Sequence, residues 1–324
     1  MQNPLIQPSS PKFTHAFPFD PAYGYDLDAL LKVYPPDEPA DYSAFWQSMY
    51  SEAQKVSVAP RRKFVETRGN FDIFDVEFTS LHGAKIGGWL TVPQSGPVTR
   101  GVVLGHGYGG RDNPDEWLPM SQAAAIYPCM RGQSRSKSAG IPEEAAGHVL
   151  HGIASRETYI HGGCAADIWC AGTALIDLVP DAAERLDYMG ASFGGGIGAL
   201  ALPWDDRFQS AYLCVPSFGN HPLRLTMPCV GSGESVRTHY QEHPEIAETL
   251  RYFDAAIAAT HIRIPTLVAP ALFDPAVPPP GQFAVYNAIT GPKEVFVLSA
   301  GHFEYDASKV EDQLLNESLA AFFA

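Results

Sequence analysis

The chain has 324 residues, of which 45% are hydrophobic and 18% charged, and its formal net charge is −14. These values are typical of a globular protein and exclude a disordered or fibrous chain. The acidic excess argues against nucleic acid or an anionic membrane as a partner. No apolar run reaches the roughly 18–20 residues of a membrane span, and "MQNPLIQPSSPKF" lacks the features of a signal peptide, so we expect a cytoplasmic protein.

The cysteine and histidine patterns indicate neither a disulfide framework nor a metal site. His148 and His151 could share a helix face, but no third ligand stands at a suitable spacing, so we expect a structural role for them. The odd number of cysteines and the lack of a Cys-x-x-Cys pair predict small buried residues in a reducing compartment. The five are Cys129, Cys164, Cys170, Cys214 and Cys229.

Residues 1–60 are predicted to form an N-terminal extension that contains one helix. In "DYSAFWQSMYSEAQK", large apolar side chains recur at helical spacing and are expected to pack on the core. The segments "KFVETRG", "FDIFDVEFTSL" and "AKIGGWLTVPQ" then combine alternating, β-branched and aromatic residues with turn signals between them. They predict an antiparallel meander.

From residue 101 onward, short apolar strands alternate with helical stretches, which is typical of a mostly parallel sheet flanked by helices. The predicted strands are "GVVLGH", "AAAIYPCM", "RLDYMGA", "SAYLCVPSF", "IPTLVAPAL" and "KEVFVLSA". Residues 217–263 contain helical periodicity but no strand, so we expect a helical insertion over the carboxyl edge of the sheet, where lids lie in open α/β folds. The whole chain, residues 1–324, is predicted to be one α/β domain.

The stretch "RLDYMGASFGGGIGALAL" is predicted to run from a strand through a sharp turn into a helix. Its Gly-Ala-Ser-Phe-Gly has the pattern of a nucleophile elbow, in which glycines allow strand and helix to approach around a strained serine. A phosphate-binding loop would need a lysine that is absent here. Ser192 is therefore the candidate nucleophile, and the amide of Phe193, at the helix start, is a candidate oxyanion donor.

A serine nucleophile needs a base, and the base needs a carboxylate, in the chain order Ser, Asp or Glu, His. Asp274 follows an apolar strand in a Pro-rich loop, and His302 follows the next strand. Either residue alone has an ordinary explanation, as a turn former or a loop histidine. Their positions at consecutive strand ends, after the serine elbow, predict a Ser192–His302–Asp274 triad.

A second oxyanion donor is expected in the loop after the first parallel strand. "VVLGHGYGG" provides it, and the amide of Tyr108 is the candidate partner to that of Phe193. His106 in the same loop is interpreted as structural, with its ring bonded to the loop backbone.

Several segments together resemble the acetyl xylan esterase/cephalosporin C deacetylase family of carbohydrate esterases. They are "HGYGG", "MRGQSRS", "GASFGG", "ALFDPAVPPPGQFAVYN" and "SAGHFEY", with further matches in "GHVLHGI", "TYIHGGCAADIW" and "TLRYFDAAIAATHIRIPTL". The resemblance extends from about residue 25 to the end of the chain. It implies an α/β-hydrolase fold and a serine deacetylase that needs no cofactor or metal.

The resemblance also implies roles for particular residues and an oligomeric state. Ser192, Asp274 and His302 match the family's triad, and Tyr108 with Phe193 match its oxyanion positions. The family's Arg-Gly-Gln motif, which supports the site from a neighbouring loop, is matched by Arg131, Gly132 and Gln133. Relatives remove acetyl groups from short sugar esters and cephalosporin C and often form hexamers, so the resemblance implies a small acetylated ester as substrate and a homo-oligomer.

Two positions depart from the family pattern. The family usually has Gln after the nucleophile and Glu after the catalytic histidine, where this chain has Phe193 and Phe303. Both changes replace a polar neighbour of the triad by a phenyl ring, which removes the hydrogen-bond or ion-pair partner expected for Arg131, and Glu304 is one candidate replacement. Because the oxyanion donor at 193 is a backbone amide, we expect the change there to alter substrate preference rather than to abolish catalysis.

The sequence therefore favours a serine esterase that removes acetyl or other short acyl groups through an acyl-enzyme. One alternative is a broader carboxylesterase or a peptidase of the same fold. Another is a binding protein of this fold that has lost catalysis, for which Phe193 and Phe303 are the only arguments.

Overall fold

The computed structural model describes residues 13–115 and 117–324, so most of the segment examined for a signal peptide lies outside the described residues. The described strands form one nine-stranded sheet. Their bounds are Arg61–Arg68 (β1), Phe71–Thr79 (β2), Lys85–Pro93 (β3), Arg100–Gly105 (β4), Ala123–Pro128 (β5), Leu186–Ala191 (β6), Phe208–Cys214 (β7), Thr266–Ala269 (β8) and Lys293–Val295 (β9).

Helices flank this sheet and also fill the long connection between β7 and β8. Their bounds are Leu27–Leu30 (α1), Tyr42–Ala53 (α2), Ala145–His148 (α3), Ile160–Leu178 (α4), Phe193–Ala201 (α5), His221–Arg224 (α6), Ser232–Glu242 (α7), Ile246–Tyr252 (α8), Ala255–Ala259 (α9), Pro279–Ala288 (α10) and Ser308–Phe322 (α11). No helix among these described residues is long and apolar enough to cross a membrane.

The strand order is β1-β2-β3-β5-β4-β6-β7-β8-β9. Strands β1 to β3 form the predicted antiparallel meander, and β3 joins β5 in antiparallel register. From β5 to β9 every pairing is parallel. Parallel strands need crossover connections, which the helices provide, and the predicted mostly parallel α/β sheet is confirmed.

The last two strands are shorter than their apolar runs predict. Strand β8 ends at Ala269 because Pro270 has no N–H to continue the ladder. A single bridge between Ala271 and Leu298 extends the pairing beyond it. The segments after β8 and β9 therefore stay side by side as loops, which brings the residues that follow them close together.

Helices α4 and α5 cover one face of the sheet, and small residues allow them to approach it closely. Helix α2, predicted from its aromatic spacing, packs outside α4. Its Trp46 is fully buried, makes an edge contact with Trp169 and donates from Nε1 to the carbonyl oxygen of Tyr252 at 2.9 Å. Burial of such a side chain contributes about 1.5–3 kcal/mol.

The connection between β7 and β8 is helical, but its most apolar part is divided into two helices. Helix α8 ends at Tyr252, and Asp254 starts α9 by accepting from the amides of Ala256 and Ile257. The same buried carboxylate accepts from the amides of Asn220 and His221 at the start of α6. One aspartate thus caps two helix starts and fixes their relative position.

Candidate active site

The candidate residues follow different parallel strands but meet at one edge of the sheet. Tyr108 follows β4, Arg131 follows β5, Ser192 follows β6, Asp274 follows β8 and His302 follows β9. Because the carboxyl ends of parallel strands lie on one side, loops far apart in sequence converge there.

Ser192 lies in a sharp turn between β6 and α5. Its backbone has φ 53° and ψ −115°, a conformation that L-residues rarely adopt and that costs of order 1–3 kcal/mol. The turn allows α5 to approach β4 so closely that a side chain on Gly194 would lie 2.7 Å from the carbonyl carbon of Gly105. The local sequence therefore stores strain in order to hold the serine hydroxyl outward.

His302 joins Ser192 to Asp274 through hydrogen bonds at both of its ring nitrogens. Its Nε2 is 2.9 Å from Ser192 Oγ, and its Nδ1 is 2.8 Å from Asp274 Oδ2. A side chain on Gly301 would come within 2.4 Å of that carboxylate oxygen, so only glycine fits before the histidine. The spacing and order of the three groups are those of a nucleophile, its base and an orienting carboxylate.

Asp274 is fully buried and each of its oxygens has more than one donor. Oδ1 accepts from the amides of Ala276 and Val277, and Oδ2 accepts from Gln282 Nε2 as well as from His302. Burial lowers the pKa of His302, but the hydrogen bond and charge of Asp274 outweigh it, so the pKa lies above its usual 6.5. The carboxylate therefore both orients the imidazole and favours its protonated form.

The loop that carries His302 is fixed by a residue of the last helix. Glu311 in α11 is buried, and its carboxylate accepts from the amide and hydroxyl of Ser299 at 3.0 and 2.7 Å. It also accepts from the hydroxyl of Tyr305. The two contacts lie on either side of His302 in the chain and hold its loop against the sheet.

The amide of Tyr108 lies in the loop after β4, and that of Phe193 lies at the start of α5, directly after Ser192. Within the described part of the chain, neither amide has a hydrogen-bond acceptor. The rings of these two residues stack on each other with centroids 4.2 Å apart. Gln133 steadies the Tyr108 loop, since its Oε1 accepts from the amide of Gly109 at 3.3 Å while its Nε2 donates to the carbonyl of Glu143.

His106 has the structural role that its position predicts. Its Nδ1 donates to the carbonyl of Gly107 at 2.7 Å, and its Nε2 accepts from the amide of Met130 at 2.9 Å. Burial lowers its pKa to about 4. The ring is therefore neutral near pH 7 and connects the loop after β4 to the loop after β5.

His148 also has protein partners at both nitrogens. Its Nε2 donates to the carbonyl of Arg131 at 2.9 Å, and its Nδ1 is 3.4 Å from the hydroxyl of Tyr108. The structural role predicted for it is confirmed. Gly132 has φ 84°, which suits glycine, and packs against the His148 ring.

The suggestion that Glu304 replaces the missing partner of Arg131 is wrong. Arg131 pairs instead with Asp167 of α4, with Nη2 2.7 Å from Oδ1 and Nε 3.0 Å from Oδ2. Both side chains are buried, whereas Glu304 is exposed. Arg131 also donates to Ser80 and to the carbonyl of Leu81, so it connects α4 to the segment after β2.

The two phenylalanines that depart from the family pattern occupy different surroundings. Phe303 packs against Phe13, Phe17 and Phe273, with centroids 5.4, 6.3 and 5.0 Å from its own. Phe193 is fully buried and contacts Tyr108 on one side. Its other aromatic neighbours are His106, His148, His161 and Phe218.

Sequence reasoning missed residues that hold the candidate site together. Gln282 and Glu311 lie in helices whose patterns do not distinguish them from surface positions. The carbonyl of Pro21, which accepts from the amide of Asp274 at 3.1 Å, belongs to the irregular N-terminal extension. Asp167 gave one usable signal, because a lone carboxylate within an otherwise apolar helix needs a buried partner.

Known proteins resemble this chain over most of its length. The acetyl xylan esterase (AXE1) family model matches residues 25–318. Acetyl esterase Axe7A of Xylanibacter ruminicola is 23% identical over 285 residues, which cover 83% of this chain and 64% of that protein, so the chain spans less than two thirds of that relative. A solved acetyl xylan esterase from Paenibacillus sp. R4 has a TM-score of 0.78 at 23% identity and covers 91% of this chain and 99% of its own.

A second solved structure has the same fold. Acetyl xylan esterase 1 from Thermoanaerobacterium sp. JW/SL YS485 has a TM-score of 0.76 at 19% identity and covers 92% of this chain and 99% of its own. The parallel sheet, the serine turn after β6 and these neighbours define a protein of the α/β-hydrolase fold. The chain belongs to the acetyl xylan esterase family.

Proposed function

We propose that this chain hydrolyses acetyl and other short acyl esters of sugars or related small alcohols through an acyl-enzyme on Ser192. The observation that carries the proposal is the continuous hydrogen-bonded chain from Ser192 Oγ through His302 to Asp274, next to two amides without an acceptor in the described residues. The acetyl preference rests on the family match.

In the first step, His302 Nε2 takes the proton of Ser192 as Oγ attacks the carbonyl carbon of the ester. Negative charge develops on the carbonyl oxygen, and the amides of Phe193 and Tyr108 donate to it in this mechanism. One such donor contributes about 2.7–4 kcal/mol to transition-state stabilisation. Asp274 stabilises the imidazolium that forms.

The tetrahedral intermediate then breaks its bond to the leaving alcohol, which takes the proton from His302 Nε2. Water enters, gives its proton to the same nitrogen and attacks the acetyl-serine. Collapse of the second intermediate returns the proton to Ser192 and releases acetate. The cycle consumes one water and leaves every side chain as it began.

The acyl-length preference tests the proposal. We expect the purified protein to hydrolyse p-nitrophenyl acetate with a higher kcat/KM than the butyrate or octanoate, and we expect Ser192→Ala to lose this activity. A preference for octanoate would contradict the short-acyl assignment and indicate a broader carboxylesterase. Cleavage of peptide p-nitroanilides without ester cleavage would indicate a peptidase, and no Ser192-dependent activity would refute the proposal.

A further inference from the structure

A group of buried polar side chains surrounds Phe218, next to Phe193 and outside the candidate triad. We call it the Phe218 cluster and define it as Tyr159, His161, Phe218, His221 and Arg224. The Phe218 ring lies 6.1 Å from that of Phe193 and 4.3 Å from that of His161, and Arg224 Cζ is 5.7 Å from its centroid.

Four members of this cluster carry a buried atom without a hydrogen-bond partner in the described residues. The atoms are Tyr159 Oη, His161 Nδ1, His221 Nδ1 and Arg224 Nε. Each such atom costs about 1–3 kcal/mol, and native proteins contain few of them. These four atoms are concentrated around Phe218, whose ring contacts that of Phe193, the residue after the nucleophile. This concentration indicates a place for a ligand rather than a closely packed core.

Arg224 is the central case because it is charged. It is 6% exposed and has no carboxylate partner among the described residues. Arg131, at 8% exposed, forms a bidentate pair with Asp167. The cation–π contact with Phe218 does not neutralise the charge of Arg224. A buried charge without an ionic partner costs several kcal/mol.

The nearby carboxylates are engaged elsewhere. The charges of Asp274, Glu234 and Arg224 all affect the pKa of Cys229, so the two carboxylates lie in the same region as Arg224. Asp274 bonds to His302 and Gln282, and Glu234 bonds to Arg237 at 2.6 Å and to the amide of Cys229.

The start of α7 adds to the positive potential around Arg224. A side chain on Gly233, in the first turn of this 11-residue helix, would lie 2.3 Å from Arg224 Nη2. The guanidinium is therefore packed against the N-terminal turn, where backbone N–H groups carry partial positive charge. Glu234 lies in the same turn but pairs with Arg237, so among the described residues no carboxylate bonds to the Arg224 guanidinium.

We propose that Arg224, with Tyr159 and the first turn of α7, binds a carboxylate carried by the ester substrate. The inference rests on the proposed function, because it assigns a substrate class to that same site. The hydroxyl of Tyr159 and the guanidinium donate to the carboxylate, and the lone pairs of His161 Nδ1 and His221 Nδ1 are available to hydroxyl groups of the same ligand. The enzyme then favours acidic esters although its overall charge repels them.

Two pairs of esters test the proposal and locate the carboxylate. In the first pair, 4-acetoxybenzoate and its methyl ester differ by a charge on the leaving alcohol. In the second, monophenyl succinate and methyl phenyl succinate differ by a charge on the acyl group. The readout is the ratio of kcat/KM for the acid to kcat/KM for its neutral partner, so a general loss of activity cancels.

We expect Arg224→Met to lower one of these ratios by about 10- to 100-fold, the loss caused by removing a hydrogen bond to a charged group. Gly233→Ala should lower the same ratio, because its methyl group displaces the guanidinium without removing the charge. Arg251→Met removes an exposed, paired positive charge from α8 and should leave both ratios within about twofold. The pair that responds tells whether the carboxylate belongs to the alcohol or to the acyl group.

Unchanged ratios in both pairs for Arg224→Met would overturn the proposal. So would a fall in Tm of more than about 5 °C with equal losses on all four esters, since that is the behaviour of a structural arginine. If the wild-type protein cleaves neither these esters nor p-nitrophenyl acetate, the proposed function fails while the binding site is still testable. Benzoate binding, measured by calorimetry, must then be weaker in Arg224→Met than in wild type, and equal affinity would overturn the site.

Discussion

The two sides of Ser192 differ in how completely their polar groups are satisfied. On the side of Asp274 and His302, the buried carboxylate has four hydrogen-bond partners and the imidazole has one at each nitrogen. On the side of Phe193, the Phe218 cluster contains four buried polar atoms that lack partners in the described residues. Asp274 is as deeply buried as the members of the Phe218 cluster, so burial alone does not explain the difference.

The hydrogen bonds around Asp274 and His302 are complete before a ligand arrives, whereas those of the Phe218 cluster are not. Groups that must hold one orientation through a reaction gain from full hydrogen bonding, because preorganisation removes the cost of rearrangement. Groups that bind a substrate must keep hydrogen-bond donors and acceptors free until the substrate is present.

Removal of the nucleophile should have the largest effect. We expect Ser192→Ala to lower kcat on p-nitrophenyl acetate by about 10⁶-fold, as for serine hydrolases whose nucleophile is removed. Ser51→Ala, on the exposed side of α2, is the matched control and should retain wild-type activity. A Ser192→Ala enzyme with more than about a hundredth of wild-type activity would show that the chemistry lies elsewhere.

Asp274→Asn should lower kcat by about 10⁴-fold, because the amide no longer holds the imidazole in the productive tautomer. The pH profile gives a second test. In the proposed mechanism neutral His302 is the base, so kcat/KM of the wild type should rise with pH around a midpoint above 6.5, the usual pKa of histidine. In Asp274→Asn the midpoint should fall, since burial then acts alone on the imidazolium. An unchanged midpoint would contradict the assigned pair.

Arg131→Met should lower the free energy of unfolding by about 3–5 kcal/mol, because it leaves Asp167 charged and buried. The double variant Arg131→Met/Asp167→Leu should recover most of this loss. Arg251→Met, which breaks an exposed pair with Glu248, should cost less than about 1 kcal/mol. Urea unfolding measures all three, and equal losses for Arg131→Met and Arg251→Met would contradict the structural role of the buried pair.

Phe193→Gln should have the smallest effect on catalysis. The substitution keeps the backbone amide that the proposed mechanism assigns to the oxyanion, so kcat on p-nitrophenyl acetate should fall by much less than the about 100-fold cost of losing a donor. Its Tm should still decrease, since a fully buried ring stacked on Tyr108 is lost. A loss of 100-fold or more would mean that the ring itself positions the reacting groups.

Most of the sheet was predictable from the sequence, because short apolar strands and Gly- or Pro-rich loops are local signals. The same signals predicted that Ser192, Asp274 and His302 follow strands that end at one edge of the sheet. Partners chosen by packing were not predictable in this way. Asp167 meets Arg131 across 36 residues, and only the position of α4 against the loop after β5 brings the two together. Among the described residues Arg224 is buried without an ionic partner. This depends on how distant segments pack around it, so no local sequence pattern predicts it.

Covalent labelling of the nucleophile decides whether Ser192 is the reactive serine. A fluorophosphonate reacts covalently only with an activated serine, and peptide mass spectrometry identifies the labelled residue. We predict one adduct, on Ser192, that forms quickly in the wild type, is absent from Ser192→Ala and forms much more slowly in His302→Ala. Ester hydrolysis with no label on Ser192, or a label on another serine, would contradict the account.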